Sequence, residues 1–401
     1  MCLGIHLYLL IYITISSCQF TYNTSALHST DGLRDNMSNK QLLIDTICER
    51  MPWKVLQAIL KSLDLPISKG VKFTRLKLLS LVEQDLFTDA TEQSLFNLYC
   101  EYLRFGDKTV MFNKISPVSL DKLTKNLDCI PLDINPDLIN YPYRDPSKES
   151  HLSSKHQLVD LAIIGDSIYF YFVALKSLTE HVRVDSDYLS SINANFTFPS
   201  YLHDISAKKI VEKRYYDIVC INTLEDTIEY RLDTASGLSS DELEDSFIKL
   251  KTAFINKVRN LPGLDKIKLH NFNLFNFVTA IYEHSMDRVC QLGFQVGSVT
   301  HHERTRASNK DLRKEVFHEA GKEKVKAIDV FRIAIRKNKK LKKVSYESEL
   351  YLPGTVKMLI GASTATLNHA IISNCINEQD YRELVASMNA CMTKIEETEC
   401  A

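Results

Sequence analysis

Along residues 37–106 the apolar positions recur at spacings of three and four, which is the signature of one helix face. They fall into "QLLIDTICERM", "WKVLQAILKSL" started by Pro52, Thr74 to Leu86, and "TEQSLFNLYCEYLRF" closing at Gly106. The pattern predicts a small bundle of short helices. In the helix from Thr74, Leu78, Leu79, Val82 and Leu86 fall on one side and Lys77, Ser80 and Gln84 on the other, so Lys77 is expected to face solvent. The periodicity then lapses. Residues 115–157 are rich in Pro, Asn and Asp and read as a linker or long loop.

Beyond residue 157 the chain changes character. "LVDLAIIGDSIYFYFVAL" and "YYDIVCINTLEDTIEYRLD" are rich in β-branched and aromatic residues, each broken by a turn dipeptide, Gly165-Asp166 and Glu225-Asp226. Two β-hairpins are predicted. "SSDELEDSFIKLKTAFINKVRNL" carries a serine cap ahead of helical spacing, and "LFNFVTAIYEHSMDRVCQLG" is read as a further helix. "KAIDVFRIAIR" reads as a strand, a basic run follows, and "GTVKMLIGASTATLNHAIISNCI" reads as strand, small-residue turn and helix. No internal repeat is present. The expected fold class is α+β.

Composition adds bounds to this picture. With 401 residues, 45% apolar and 25% charged, the chain is an ordinary folded protein, and a formal net charge of −1 means that any attraction to nucleic acid must come from local patches. Ten cysteines lie scattered without a CxxC pair, which argues against a ribbon-type zinc site and a dense disulfide scaffold. The N-terminal "MCLGIHLYLLIYITISSC" is apolar and ends like a lipoprotein cleavage box at Cys18, but no Lys or Arg precedes it. Three readings stay open for residues 1–36: a signal or anchor, a start upstream of the true one at Met37, or a tail of another kind. Three sequons (Asn23, Asn36, Asn195) would suit secretion.

Catalytic chemistry is only hinted at. His301, His302 and Glu303 in "THHERTR", with His318, are metal-ligand types, but adjacent histidines point to different sides of any regular element, so no metal is expected. "GDS" at 165–167 falls at a hairpin turn and lacks a visible activating histidine. No phosphate-binding loop, dinucleotide fingerprint, kinase signature or nucleophile elbow occurs. A non-enzymatic protein without cofactor is expected. Lys322 to Lys343 holds ten Lys or Arg against Glu323 and Asp329, which suits either a solvated hairpin loop or phosphate contact.

Residues 42–115 resemble the N-terminal pyrin-like domain of the centromere protein N family: a first helix ending before Pro52, "ILKSLD", a "VKF" turn at 71–73 leading into the third helix, and "KTVMF" closing the domain. "KIKLHNFNLFNFVTAIY" and "VKMLIGASTATLNHAII" are similar to later segments of that family. The resemblance implies a pyrin-like (death-fold-like) bundle over 37–115, a linker over 116–157, an α+β domain with a mainly antiparallel curved sheet over 158–380, and a C-terminal helix or tail over 381–401. It implies a nuclear, inner-kinetochore adaptor for chromosome segregation. Such a protein binds nucleosomes carrying the centromeric histone H3 variant, holds the DNA backbone, and pairs with a centromere protein L-like subunit.

By the same resemblance, Arg50, Lys54, Lys72, Arg75, Lys77 and His270 would line the DNA surface. Asp45 and Glu49 would replace the family's histone-contacting acids, whose positions hold Ser38 and Leu42 here. Val356, Met358, Ile360, Leu367 and Ile371 would form the partner interface. A protein-only scaffold and a secreted or lipid-anchored surface protein are the alternatives.

Overall fold

"IYFYFV" at 168–173 is apolar without a break because both of its faces are buried. On strand β3 (Ser167–Arg183), Tyr169, Tyr171 and Val173 enter one core while Ile168, Phe170 and Phe172 enter another on the opposite side of the sheet. The computed structural model describes residues 39–185, 189–190, 205–233, 238–305, 310–325, 327–360 and 365–399. The apolar leader, Ser38 and all three sequons lie outside them. Among the described residues no helix is long and apolar enough to cross a membrane.

Among the described residues four helices come first, as the periodicity predicts: α1 (Asn39–Arg50), α2 (Trp53–Ser62), α3 (Gly70–Glu83) and α4 (Asp89–Phe105). Leu43, Ile44, Ile47, Leu56, Ile59, Leu60, Leu78, Leu95 and Tyr99 pack between them. There follow β1 (Lys108–Ile115), α5 (Pro117–Lys125), β2 (Gln157–Ile164), β3, β4 (Ser206–Asn222) and β5 (Thr227–Leu232). The later elements are α6 (Ser240–Val258), β6 (Leu269–Asn271), α7 (Phe275–His284), β7 (Arg288–Val296), β8 (Val299–Arg304) and α8 (Val316–Lys324). The chain then forms β9 (Asp329–Leu341), β10 (Val344–Leu352), β11 (Ala370–Ser373) and α9 (Glu378–Glu399).

Among the described residues all eleven strands join one antiparallel sheet in the order β2-β3-β4-β5-β1-β11-β10-β9-β7-β8, with β6 beside β1. Both predicted hairpins are present. Gly165, with φ +56°, turns β2 into β3, and Asp226 closes the β4–β5 turn. Helix α6 begins at the expected serine, with Ser239 and Glu242 forming a reciprocal capping box.

Four local expectations are corrected. "KTVMFNKI" does not close the helical bundle but is β1, in the interior of the sheet. Its Lys108 and Asn113 are fully buried, which hides the strand pattern from a reading that places charges outside. Residues 116–157 are not a loose linker. They contain α5 and three short 3₁₀ turns, and Arg214 of β4 staples them by donating to the carbonyls of Ile139 (2.5 Å), Tyr143 (2.9 Å) and Asp145 (3.2 Å).

The helix after Phe275 ends at His284, and "RVCQLGFQV" is strand β7. The terminal segment runs opposite to expectation: Lys357–Ile360 is a helical turn and Ala370–Ser373 is the strand, inserted between β1 and β10. Short apolar runs carry no periodicity that separates the two states, so strand pairing decided the matter. Of the helix or tail expected over 381–401 the structure has a helix, and it joins the core: Tyr381, Leu384, Met388 and Cys391 are buried against α7 and the sheet.

The bundle and the sheet are one body. Residues from Asn39 onward belong to a single compact unit, and Leu341, Val344 and Tyr346 of the β9–β10 hairpin pack onto the bundle core. If α9 is core, Leu384→Ala will destabilise the protein by about 2–5 kcal/mol in urea unfolding, as a buried leucine does. A solvated tail would give a change within about 0.5 kcal/mol.

Candidate nucleic-acid interface

Helices α2 and α3 set out the candidate surface. Helix α2 buries Val55, Leu56, Ala58, Ile59 and Leu60, which leaves Lys54 and Lys61, two turns apart, on its solvent side. The chain then bends through "LDLPISKG". Gly70 takes φ +82°, a value that a side chain disfavours, and the Ser68 amide donates to Thr74 Oγ1 at 2.9 Å. Helix α3 therefore starts four residues before Thr74, and its buried residues are Thr74 and Leu78. Lys69, Lys72 and Lys77 are exposed, as the amphipathic reading of Lys77 predicts, and the Lys77 ammonium donates to the Ile67 carbonyl at 3.4 Å. Among the described residues Lys54, Lys61, Lys69, Lys72 and Lys77 make no ion pair.

The arginines assigned to the same surface are placed differently. Arg50 is not a solvent-facing contact. Its side chain is 9% exposed, it pairs with Asp233, and its guanidinium lies over the Tyr216 ring at 5.2 Å. Arg75 forms a two-pronged pair with Asp45, Nε to Oδ1 at 2.5 Å and Nη2 to Oδ2 at 2.9 Å, which ties α3 to α1. Glu49 is paired with Arg144. The carboxylates expected to meet a histone loop are thus engaged within the protein. His270 is exposed on β6, opposite Lys114 of β1 and away from the helices that carry the lysines in sequence.

Behind Arg50 lies a buried charge network. Asp233 accepts from Arg50, from Lys108 Nζ at 2.6 Å and from the Tyr216 amide at 3.1 Å. Its own amide donates to Asp217 Oδ1 at 2.8 Å, and Asp217 Oδ2 holds Lys176 at 2.5 Å and His156 Nε2 at 2.7 Å. Burial would raise both carboxyls, but for Asp217 the Lys176 charge and the His156 hydrogen bond outweigh it. For Asp233, Arg50 and Lys108 do the same. Both carboxyls are held below the usual carboxylate range.

The proposed partner-interface residues divide. Ile360 is 70% exposed, Val356, Met358 and Ile371 are half-buried with Met358 packed on the core, and Leu367 is 2% exposed and belongs to the core. Leu367 is therefore removed from any interface. The metal-ligand types also have other work. Glu303 accepts from His318 Nδ1 at 2.9 Å, and His318 Nε2 meets the Tyr282 hydroxyl at 3.0 Å. His301 stacks on Phe294 and His302 meets the edge of Phe331. Ser167 of "GDS" opens β3 and accepts from Arg382 at 3.2 Å.

Lys61 and Lys69 were missed by the sequence reading. The seven-residue spacing of Lys54 and Lys61 would have found the first, since it returns to the same helix face. Comparison of the chain with family models and with curated proteins finds no match to either.

Two outcomes check the charge network. Arg50→Met will destabilise the fold by about 3–5 kcal/mol, the effect of stripping a partner from a buried ion pair, seen as a lowered urea midpoint. Carboxyls whose pKa falls on folding contribute stability that is present above about pH 4 and lost as pH drops through the lowered folded pKa. Wild-type stability will therefore fall below about pH 4, and Asp217→Asn, followed by thermal melts across pH 2–6, will show a shallower fall.

Proposed function

We propose that this chain is a non-enzymatic, nuclear adaptor of the inner kinetochore. In this reading the helical part is a pyrin-like bundle that binds the DNA of centromeric nucleosomes, and the α+β part pairs with a centromere protein L-like subunit. The observation that carries the proposal is the set of five exposed lysines on α2, α3 and the bend between them, none ion-paired among the described residues. A phosphate backbone asks for unspent positive charge, and these lysines carry it although the whole chain is near neutral.

The DNA half of the reading stands apart from histone recognition. With Asp45 and Glu49 already paired, selectivity for a histone variant must come from other groups. Ile360 is the residue of the suggested partner interface that suits docking best, being large, apolar and exposed.

A second reading, a protein-docking scaffold without DNA contact, is favoured by Phe73 and Leu76. They are 55% and 52% exposed on the same face of α3 as Lys69 and Lys77. The full chain titrated with nucleosomes across a salt series separates the two. Lys69→Gln, Lys72→Gln and Lys77→Gln together are expected to weaken binding and reduce the slope of log K against log salt by about 2–3, near 0.9 per lost phosphate contact. No binding at low salt, or an unchanged slope, would sink the DNA reading. Loss on Phe73→Ser with Leu76→Ser alone would support the scaffold.

A further inference from the structure

The basic run "RKNKKLKK" is divided into two faces by the strand it lies on. Beyond Arg336, β9 leaves β7 and pairs with β10 alone, so residues 337–348 form a two-stranded ribbon. Alternate residues point to opposite sides. Lys337 pairs with Asp287, Lys339 with Glu383 and Asp380, and Leu341, Val344 and Tyr346 lie half-buried against the bundle. The other side shows Asn338, Lys340, Lys342, Lys343 and Ser345, all exposed. Glu347, the one acid that shares this side, is paired with Arg288 and Arg336.

The inner lysines are therefore spent and the outer ones are not. Lys340, Lys342 and Lys343 make no ion pair among the described residues. The hairpin turn itself is Lys342-Lys343, with Lys342 at φ +52°, where asparagine or glycine is the favoured occupant. Charge sits at the tip although the backbone prefers another residue there. No large apolar side chain is exposed between Arg336 and Tyr346, so the anchor that a protein partner would grip is lacking, in contrast to Phe73 and Leu76 on α3.

The inner side, through Leu341, Val344 and Tyr346, packs on the bundle core, which leaves the lysines of the outer side turned to solvent. We propose that the outer face of the β9–β10 tip, with Lys340, Lys342 and Lys343, is a surface for the phosphate backbone of duplex DNA. It would extend the contact beyond α3 and draw on a segment distant in sequence. The inference rests on the DNA reading above and adds to it a second, separable contact. Lysine ammoniums act as point charges, so this surface would hold DNA without reading its bases.

The test uses the full chain and a fluorescein-labelled DNA duplex, with anisotropy followed across a salt series. One variant combines Lys340→Gln, Lys342→Asn and Lys343→Gln, with asparagine chosen to tolerate the turn; a second carries Lys340→Glu and Lys343→Glu. Unchanged melting temperatures verify folding. The first variant is expected to bind roughly tenfold more weakly at low salt with a slope shallower by about 2–3, and the second to bind more weakly still. If wild type binds, the Lys69, Lys72 and Lys77 variant weakens it, and the tip variants do not, the tip inference alone is overturned. If wild type binds no duplex, both readings fall. If the tip variants lose only polyglutamate capture and keep DNA binding, the surface serves an acidic protein and the inference is likewise overturned.

Discussion

Asp233 is the residue on which the arrangement of this protein depends. It sits at the end of β5 and compensates two buried cations, Arg50 from the end of α1 and Lys108 from the start of β1, while accepting the Tyr216 amide of β4. A charge removed from water must find its partners in place, and here those partners come from the bundle and two strands. Asp217 extends the same logic outward to Lys176 and His156 and is joined to Asp233 through a backbone amide. Arg50 of the bundle and Lys108 of the sheet thus meet at one carboxylate.

That constraint separates the chain's positive residues into two populations. Arg50, Lys108, Lys176 and Arg214 are consumed inside, where each meets a carboxylate or a row of carbonyls. Arg75 and Arg144 are consumed at the rim by Asp45 and Glu49. What remains outward on α2, α3 and the β9–β10 tip is lysine, a hydrated point charge suited to phosphate contact and less suited to a two-pronged carboxylate grip. The division of labour between arginine and lysine gives the proposed interface its physical character.

Much of this was legible along the chain, for local reasons. The four first helices, both hairpins and the capped helix from Ser240 announce themselves through periodicity, turn residues and a capping box, all of which act within a few residues. The failures share a cause. In β1, buried Lys108 and Asn113 mimic the polar positions of a surface segment, and their acceptability depends on Asp233 and Asn271, far away in sequence. The segments at 355–376 carry apolar residues that fit strand or helix equally, and a vacant lane between β1 and β10 decided between them.

The candidate surface divides along the same line. Sequence alone determined that Lys77 faces solvent, because the helix period and the apolar stripe of α3 leave it no other side. It also determined that residues 336–343 are densely basic. Which cations are free was settled only in three dimensions: Arg50 finds its carboxylate 183 residues away, and Lys337 and Lys339 turn inward to Asp287 and Glu383 while Lys340 and Lys342 turn out. Periodicity reports direction along one element, whereas the neutralisation of a charge depends on what another element brings beside it.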